Sequence, residues 1–364
     1  MALELQEKGE RDGWKVEFVR EGRSISRLWI LDVQMRIGSG IVAVGGIAGV
    51  GTDRDYRNQG LASRVLNASL ALMRREGYDA FFLFGIPALY HRFGFATCMP
   101  EHNLCLDTRE AERAPRTLRL RLYRKADRAA IARLYNRQNG LRTGTVVRDP
   151  RTWKGIPMGS GFGVEAGVQV AVDGKDRVRG YVVYDAVPDQ CRSAEVGGEE
   201  AQVFDTLLWF LARRALALRR EEISLSLPPD PPFALYCQPL GCQVDTRYLR
   251  NAGPMGRIIN LESCLKKLLP QLGQRWQGAQ SLGNTTDLGA WVLRAGWGGL
   301  QLKEESILKD LSLKQEVLTQ LLMGYHAPGE LLAGGKLQAP RTCRALLERL
   351  FPPTQSHMWW PDRF

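Results

Sequence analysis

The chain has 364 residues, more than one hydrophobic core usually organises, so two or three domains are expected. Fifty Lys and Arg against 39 Asp and Glu leave a charge of +11, which draws anionic ligands, but the arginines are scattered and no motif reads DNA or RNA, so no specific nucleic-acid partner is expected. Seven cysteines without a Cys-x-x-Cys pair, four ungrouped histidines and no apolar run of bilayer length argue against a disulfide framework, a metal and a membrane span.

Residues 1–10 are charged and lack the apolar core of a signal peptide, which with reduced thiols points to the cytoplasm. Residues 15–19 read as a strand that turns at Glu21-Gly22-Arg23 and returns through 25–34. A Gly38-Ser39-Gly40 turn leads into an apolar strand from Ile41. Gly45, Gly46, Gly49 and Gly51 crowd that strand, which predicts a bulge or the close approach of a ligand. The basic turn Arg57-Asn58-Gln59-Gly60-Leu61-Ala62 then opens an amphipathic helix. Ala62, Val65, Leu66, Ser69, Leu72 and Met73 share one face, with Arg64, Asn67, Arg74 and Arg75 elsewhere. A strand over 80–84, a segment carrying Tyr90 and ending in Phe93-Gly94-Phe95, and a further strand reaching Leu106 follow.

The charged stretch 107–116 marks a domain boundary. Beyond it, 118–123 reads as a strand and 127–136 as a helix with Ile131, Leu134 and Tyr135 inward. Residues 168–172 and 178–184 form a hairpin about Asp173-Gly174-Lys175. A helix over 203–218, a strand over 223–227 and the breaker Pro228-Pro229-Asp230-Pro231-Pro232 complete the middle region. From residue 251 the pattern changes: a helix over 258–269, short strands over 287–294, 300–303 and 306–309, then helices over 314–322 and 343–350, giving a sheet covered by helices. The chain finishes His357-Met358-Trp359-Trp360-Pro361-Asp362-Arg363-Phe364. Tails are commonly polar and frayed, whereas these aromatic residues suit a groove.

The basic turn has a chemical reading. A helix start leaves backbone N–H groups without partners, and the peptide dipoles favour an anion there. Gly60 lets the backbone approach phosphate oxygens, Ala62 keeps the first turn narrow, and Arg57 adds charge or faces solvent. With a strand on each side this is a βαβ unit. It has neither the Gly-x-Gly-x-x-Gly of dinucleotide binders nor a Gly-Lys-Ser/Thr loop. Taken alone, Arg-x-x-Gly-x-Ala also fits an ordinary turn before an ordinary helix.

The order of strand, basic Gly turn, helix, strand and Tyr segment resembles the acetyl-CoA half of the GNAT acetyltransferase superfamily. Tyr56-Arg57-Asn58-Gln59-Gly60, Leu83-Phe84-Gly85-Ile86-Pro87, Tyr90-His91-Arg92-Phe93-Gly94-Phe95 and the extreme C-terminus together resemble its Eis-type (enhanced intracellular survival) branch. That resemblance implies an α/β chain of mixed, α+β sheets: a catalytic GNAT domain over 1–110, a degenerate GNAT-like domain over 116–250 without a second cofactor, and a sterol-carrier-protein-2-like domain over 251–364 whose tail returns to the active site. It implies acetyl-CoA as cosubstrate and no metal. Contacts to acetyl-CoA would come from Val50, Thr52, Arg57, Asn58, Gly60, Leu61 and Ala62. The partner would be an amine-bearing small molecule or a peptide lysine, and a homo-oligomer, a hexamer in the family, is a further implication.

By the same resemblance Tyr90 donates to the departing thiolate; its hydroxyl is a donor of high pKa, although Tyr90 with Leu89 and Phe93 also reads as core. Phe364 would deliver its α-carboxylate as proton acceptor or amine-orienting group, the alternative being a tail that clamps domains together. His91 and His102 have suitable pKa values for a base but no visible orienting partner, and Asp53 and Asp55 read as turn formers. One departure stands out: GNAT domains begin with a strand and two helices that wall the acceptor, and here little precedes Trp14. Trp14, Phe18 and Trp29 would line the acceptor cleft or simply pack the core. The expected activity is direct N-acetyl transfer to a primary amine; the alternative is a noncatalytic acyl-CoA or lipid-binding protein.

Overall fold

The structure, a computed structural model, describes residues 3–187, 191–277, 281–296, 299–304 and 311–364. The chain divides into two compact units: Met1–Met99 with Leu249–Ser356 and Phe364, and Pro100–Tyr248 with His357–Arg363. The described residues form a mixed α/β fold of three sheets flanked by helices, as expected.

In the first unit β1 (Glu4–Glu10), β2 (Gly13–Arg20), β3 (Arg23–Ile37) and β4 (Gly40–Thr52) form an antiparallel meander. The helix α1 (Leu61–Arg75) crosses to β5 (Ala80–Gly85), which lies parallel to β4. β6 (Ala96–Thr97) is two residues long. Val16, Leu28 and Ile30 from the meander meet Val65, Leu66 and Met73 of α1 and Phe81 of β5 in one core. β1 was not foreseen: Glu-Leu-Gln-Glu-Lys-Gly-Glu has charges on both faces, so it lacks the alternation that marks a half-buried strand, and such charges suit a sheet edge. A two-residue connection, Arg11-Asp12, joins β1 to β2, and among the described residues no α-helix precedes α1, only the 3-10 turn Arg54–Tyr56.

In the second unit the strands are β7 (Glu101–Asp107), β8 (Arg119–Leu122), β9 (Ala166–Val172), β10 (Val178–Asp185), β11 (Arg192–Gly198), β12 (Glu222–Leu225) and β13 (Gln243–Arg247). β8 to β11 form an antiparallel meander, the helix Ala201–Ala217 follows, and β12 returns parallel to β11. The element order of the first unit is thus repeated, with one addition, the helix Arg128–Gln138 between β8 and β9, where a helix was expected. The turn before its helix differs: Glu199 and Glu200 stand there, ion-paired with Arg137 and Arg179, and repel an anion.

The first two sheets each also pair strands from distant parts of the chain. β14 (Gly253–Ile258) pairs antiparallel with β5 over its whole length, from Gly253↔Gly85 to Ile258↔Ala80. β7 pairs with β12 and β13. Two sequence expectations are thereby corrected. The run after Phe95 is two strands in different sheets, and Ile258 ends a strand instead of opening a helix. The helix there is Leu261–Arg275 and continues through Pro270, where a stop was expected.

A third sheet, in the first unit, has β15 (Ser281–Thr286), β16 (Gly289–Gly296), β17 (Gly299–Glu304) and β18 (Leu311–Ser312) in the order β17-β16-β15-β18. The strand expected over 306–309 lies outside the described residues. Leu265, Trp291, Leu293, Leu318 and Phe351 line an apolar cavity of ≈ 20 Å³, room for about one water and none for a lipid tail.

Candidate active site

β4 and β5 pair over only three residues, Val44↔Ala80 to Gly46↔Phe82. Beyond Gly46, β4 runs on to Thr52 paired with β3 alone, so its other edge loses its ladder partner beside β5. A bulge opposite Leu28 contributes to the divergence: Arg27 pairs with Gly51 but Trp29 with Ala48. Gly49 sits there at φ 58, and a Cβ would lie 2.7 Å from the Trp29 ring, so only glycine fits. Of the two sequence readings of this glycine-rich strand, the bulge is present.

At the end of β4, Val50 packs against the core and Thr52 shares a hydrogen bond with Ser26, 2.9 Å between hydroxyls. Arg57 is exposed and its Nε donates to Thr52 O at 3.3 Å. Asn58 (φ 62) and Gly60 (φ 71) are both left-handed, which folds the turn tightly onto the start of α1. Gly60 is the N-cap and offers no side-chain acceptor; the first intrahelical bond is Arg64 N to Gly60 O, 3.1 Å. The N–H groups of Leu61, Ala62 and Ser63 therefore lack helical partners, no acidic residue lies in the first turn, and the space a Cβ would take at Gly60 is open. This geometry suits an anionic group, with about 0.3–1 kcal/mol per charge from the dipole alone. Leu61 is buried and anchors the helix; Ala62 is half-buried. Asp53 is turned to Arg23, 2.9 Å.

Tyr90 opens a short 3-10 turn, Tyr90–Phe93, after β5. Its ring is buried against Phe95, centroids 6.1 Å apart, and against Gly85, where a Cβ would come within 2.9 Å of the ring. The core reading of the ring is thus correct, yet its hydroxyl has no hydrogen-bond partner among the described residues. Burial raises the Tyr90 pKa, keeping the phenol protonated as a donor must be. His91 is half-buried in the same turn, whereas His102 belongs to the second unit on β7.

The ring of Phe364 lies over Gly46, where a Cβ would be 2.8 Å from it, and edge-on to Phe84, centroids 5.9 Å apart at 72°. It therefore sits where β4 and β5 part. The predicted residues 50–62, Tyr90 and Phe364 all fall at this one end of the first sheet. Trp14 and Phe18 pack in the core, and Trp29 lies against the bulge beneath Arg27 and Lys15, so packing accounts for all three.

The residues before Phe364 are held in the second unit. His357 N donates to Thr143 O (3.0 Å) and Trp359 Nε1 to Asn139 Oδ1 (3.0 Å). Arg363 forks onto Glu101 (2.9 and 2.8 Å) and covers the Trp360 ring. Asp362 accepts from Arg148 Nε and Nη2, both at 3.0 Å, and from the Tyr135 hydroxyl at 2.8 Å. Arg148, fully buried, also forks onto Glu195 at 2.7 and 2.6 Å, and Tyr181 donates to Glu195. Burial alone would lower the Arg148 pKa, but Asp362 and Glu195 outweigh it and keep the guanidinium charged. Arg148 and Glu195 were missed by sequence reasoning, and Gly46 and Phe84, though noted in their motifs, were not linked to Phe364; a buried Arg–Glu pair between loop and strand has no periodic signal.

Residues 3–98 match the family described as acetyltransferase (GNAT) domain, and residues 287–359 the family described as sterol carrier protein domain. The uncharacterized N-acetyltransferase YhbS of Escherichia coli is 44% identical over 50 residues, 14% of this chain, and the match spans only 30% of that relative's length. Over the whole chain, the structure is similar to a GCN5-related N-acetyltransferase from Anabaena variabilis (TM-score 0.75, 20% identity, 96% of this chain and 89% of that one). It is also similar to Eis1 from Mycobacterium abscessus (TM-score 0.68, 16% identity, 96% and 90%). At these identities the likeness is one of fold. No described helix is long and apolar enough to cross a membrane. The chain thus carries a GNAT-superfamily acetyltransferase domain at its N-terminal end and a sterol-carrier-type domain toward its C-terminus.

Proposed function

We propose that the protein is an Eis-type, acetyl-CoA-dependent N-acetyltransferase that transfers acetyl directly to a primary amine of a small molecule or a lysine. The observation that carries this reading is the uncapped start of α1 behind the open Gly60, beside strands that part at Gly46 and Phe82. The N–H groups of Leu61 and Ala62, with Gly60, Asn58 and Arg57, would hold the diphosphate, and the free edge of β4 at Val50 and Thr52 the extended arm. Acetyl-CoA supplies the activated acyl group as a thioester. Tyr90 donates its phenolic proton to the departing thiolate. The Phe364 α-carboxylate, a weak base, holds the ammonium and takes its first proton, which frees the nitrogen lone pair to attack the thioester carbon; as the C–S bond breaks, the second N–H proton lost by the nitrogen replaces the one that Tyr90 gives to the thiolate.

The domain plan belongs to the same proposal: a catalytic domain over 1–110, a degenerate one over 116–250 without cofactor, and a sterol-carrier-like one over 251–364, with β14 serving the first sheet. So do a homo-oligomeric state and a cytoplasmic location. Acetyl-CoA turnover against spermidine, an aminoglycoside and a lysine peptide tests it. Acetylated product is expected. Saturable coenzyme A binding without product from any amine would instead favour a noncatalytic acyl-CoA binder.

A further inference from the structure

Among the described residues the second unit shows no second uncapped Gly turn, yet it contains a charged cluster built on the fully buried Arg148, and that cluster is committed to the C-terminal tail. Arg148 spends four hydrogen bonds on two carboxylates, two on Glu195 and two on Asp362. Its guanidinium faces the Tyr135 ring at 3.6 Å and the Trp153 ring at 4.7 Å. Glu195 alone would neutralise it. Adding Asp362 leaves one cation facing two buried anions, an arrangement that desolvation makes a poor source of stability. What the second carboxylate provides is geometry: a planar fork gripping a carboxylate fixes both position and orientation. Asp362 lies two residues before Phe364; its backbone N–H donates to Trp359 O (3.0 Å), that of Arg363 to Trp360 O (3.1 Å), and the Arg363 side chain is itself forked onto Glu101.

We propose that the buried Arg148–Glu195 pair is a positioning device for the C-terminus, gripping Asp362 so that the last residues leave from a fixed point and direction. Applied to catalysis, this rests on the reading that the Phe364 carboxylate handles the amine proton. Arg148 touches no substrate in that reading; it acts through Asp362. Ordinary tails are mobile because nothing directional holds them. Here His357, Trp359, Asp362 and Arg363 each form a directional hydrogen bond or ion pair within the second unit.

The test uses the full-length chain with Asp362→Ala and, as an isosteric second variant, Asp362→Asn. Arg148 keeps Glu195 in both, so no buried charge is left alone, and circular dichroism verifies the fold. Carboxypeptidase A reports release of Phe364 and needs no acceptor substrate. Thiol release from acetyl-CoA with spermidine, kanamycin and a lysine peptide gives kcat and KM. In Asp362→Ala, release of Phe364 should quicken about tenfold through local opening. Its kcat should fall about 10- to 100-fold, with KM for acetyl-CoA unchanged. Asp362→Asn keeps an oxygen for Arg148 Nε and should recover part of both. Unchanged release of Phe364 from folded Asp362→Ala overturns the positioning role, whatever kcat does. Faster release with unaltered kcat leaves the grip standing and removes the terminal carboxylate from the chemistry.

Discussion

Mild acid should loosen the second unit by a calculable amount. His102 on β7 and His357 in the tail are both buried, with ring centroids 6.0 Å apart. Burial lowers the His102 pKa from 6.5 to about 4, against smaller upward pulls from Asp230 and Glu101 and a downward one from Arg142. His357 is lowered in the same direction by burial, then by Arg363, His102 and Arg142. A base whose folded pKa is depressed contributes full stability above its unfolded value. That stability is lost as pH falls below 6.5 and stops changing below the folded value. At about pH 5 the unfolded imidazole is mostly charged and the folded one mostly neutral, a difference of about 1.5 pH units or about 2 kcal/mol from His102 alone. His357 adds to it. Carboxylates with lowered values, such as Glu17 at about 2, titrate below this window. Urea unfolding at about pH 7.5, 6 and 5, followed by tryptophan fluorescence, measures the loss, and the double variant His102→Asn, His357→Asn should remove most of the slope. Wild-type stability that is flat to within about 0.5 kcal/mol, or a slope that survives in the double variant, would refute the assignment of neutral buried imidazoles.

Three further outcomes are expected of the proposed site. Gly60→Val places a branched side chain in the open space before α1 and strains a φ of 71, so coenzyme A affinity by calorimetry should fall about tenfold or more in a folded protein; equal affinity removes the turn as the diphosphate site. Tyr90→Phe keeps the buried ring and deletes a hydroxyl with no described partner, so kcat should drop about 10²- to 10⁴-fold with coenzyme A affinity and melting temperature retained; a normal rate excludes Tyr90 as the acid. One glycine added after Phe364 leaves the ring available to Gly46 and Phe84 but moves the carboxylate, so coenzyme A binding should persist while acyl transfer is lost; full transfer by the extended chain refutes a catalytic terminus.

Much of the first unit was legible because its physics is local. The amphipathic face of α1, the tight turn at Gly60 and the bulge at Gly49 each follow from a few neighbouring residues. The helix Ala201–Ala217 and the β9–β10 hairpin were readable for the same reason. β11 was not: its buried Glu195 breaks the apolar alternation, and only the distant Arg148 explains why a carboxylate can lie there. Helix Leu261–Arg275 hid its second half behind Pro270. The site divides similarly. The anion turn is contiguous in sequence, whereas the place of Phe364 over Gly46 depends on contacts between the two ends of the chain, which no spacing encodes.

The origin of β14 sets a timetable for biosynthesis. β5 emerges by residue 85, but the strand that covers its far edge begins at Gly253, after the whole second sheet has been made. At translation rates of about 5–20 residues per second, the half-built first sheet waits on the order of ten to thirty seconds with an apolar parallel strand unprotected. β7 to β13 can complete their own sheet within that interval, so the inserted segment is free to mature while its host is still open. Excising residues 1–99 as a minimal catalytic fragment would make the delay permanent, since the sequence Ala-Phe-Phe-Leu-Phe-Gly of β5 would then never meet its partner.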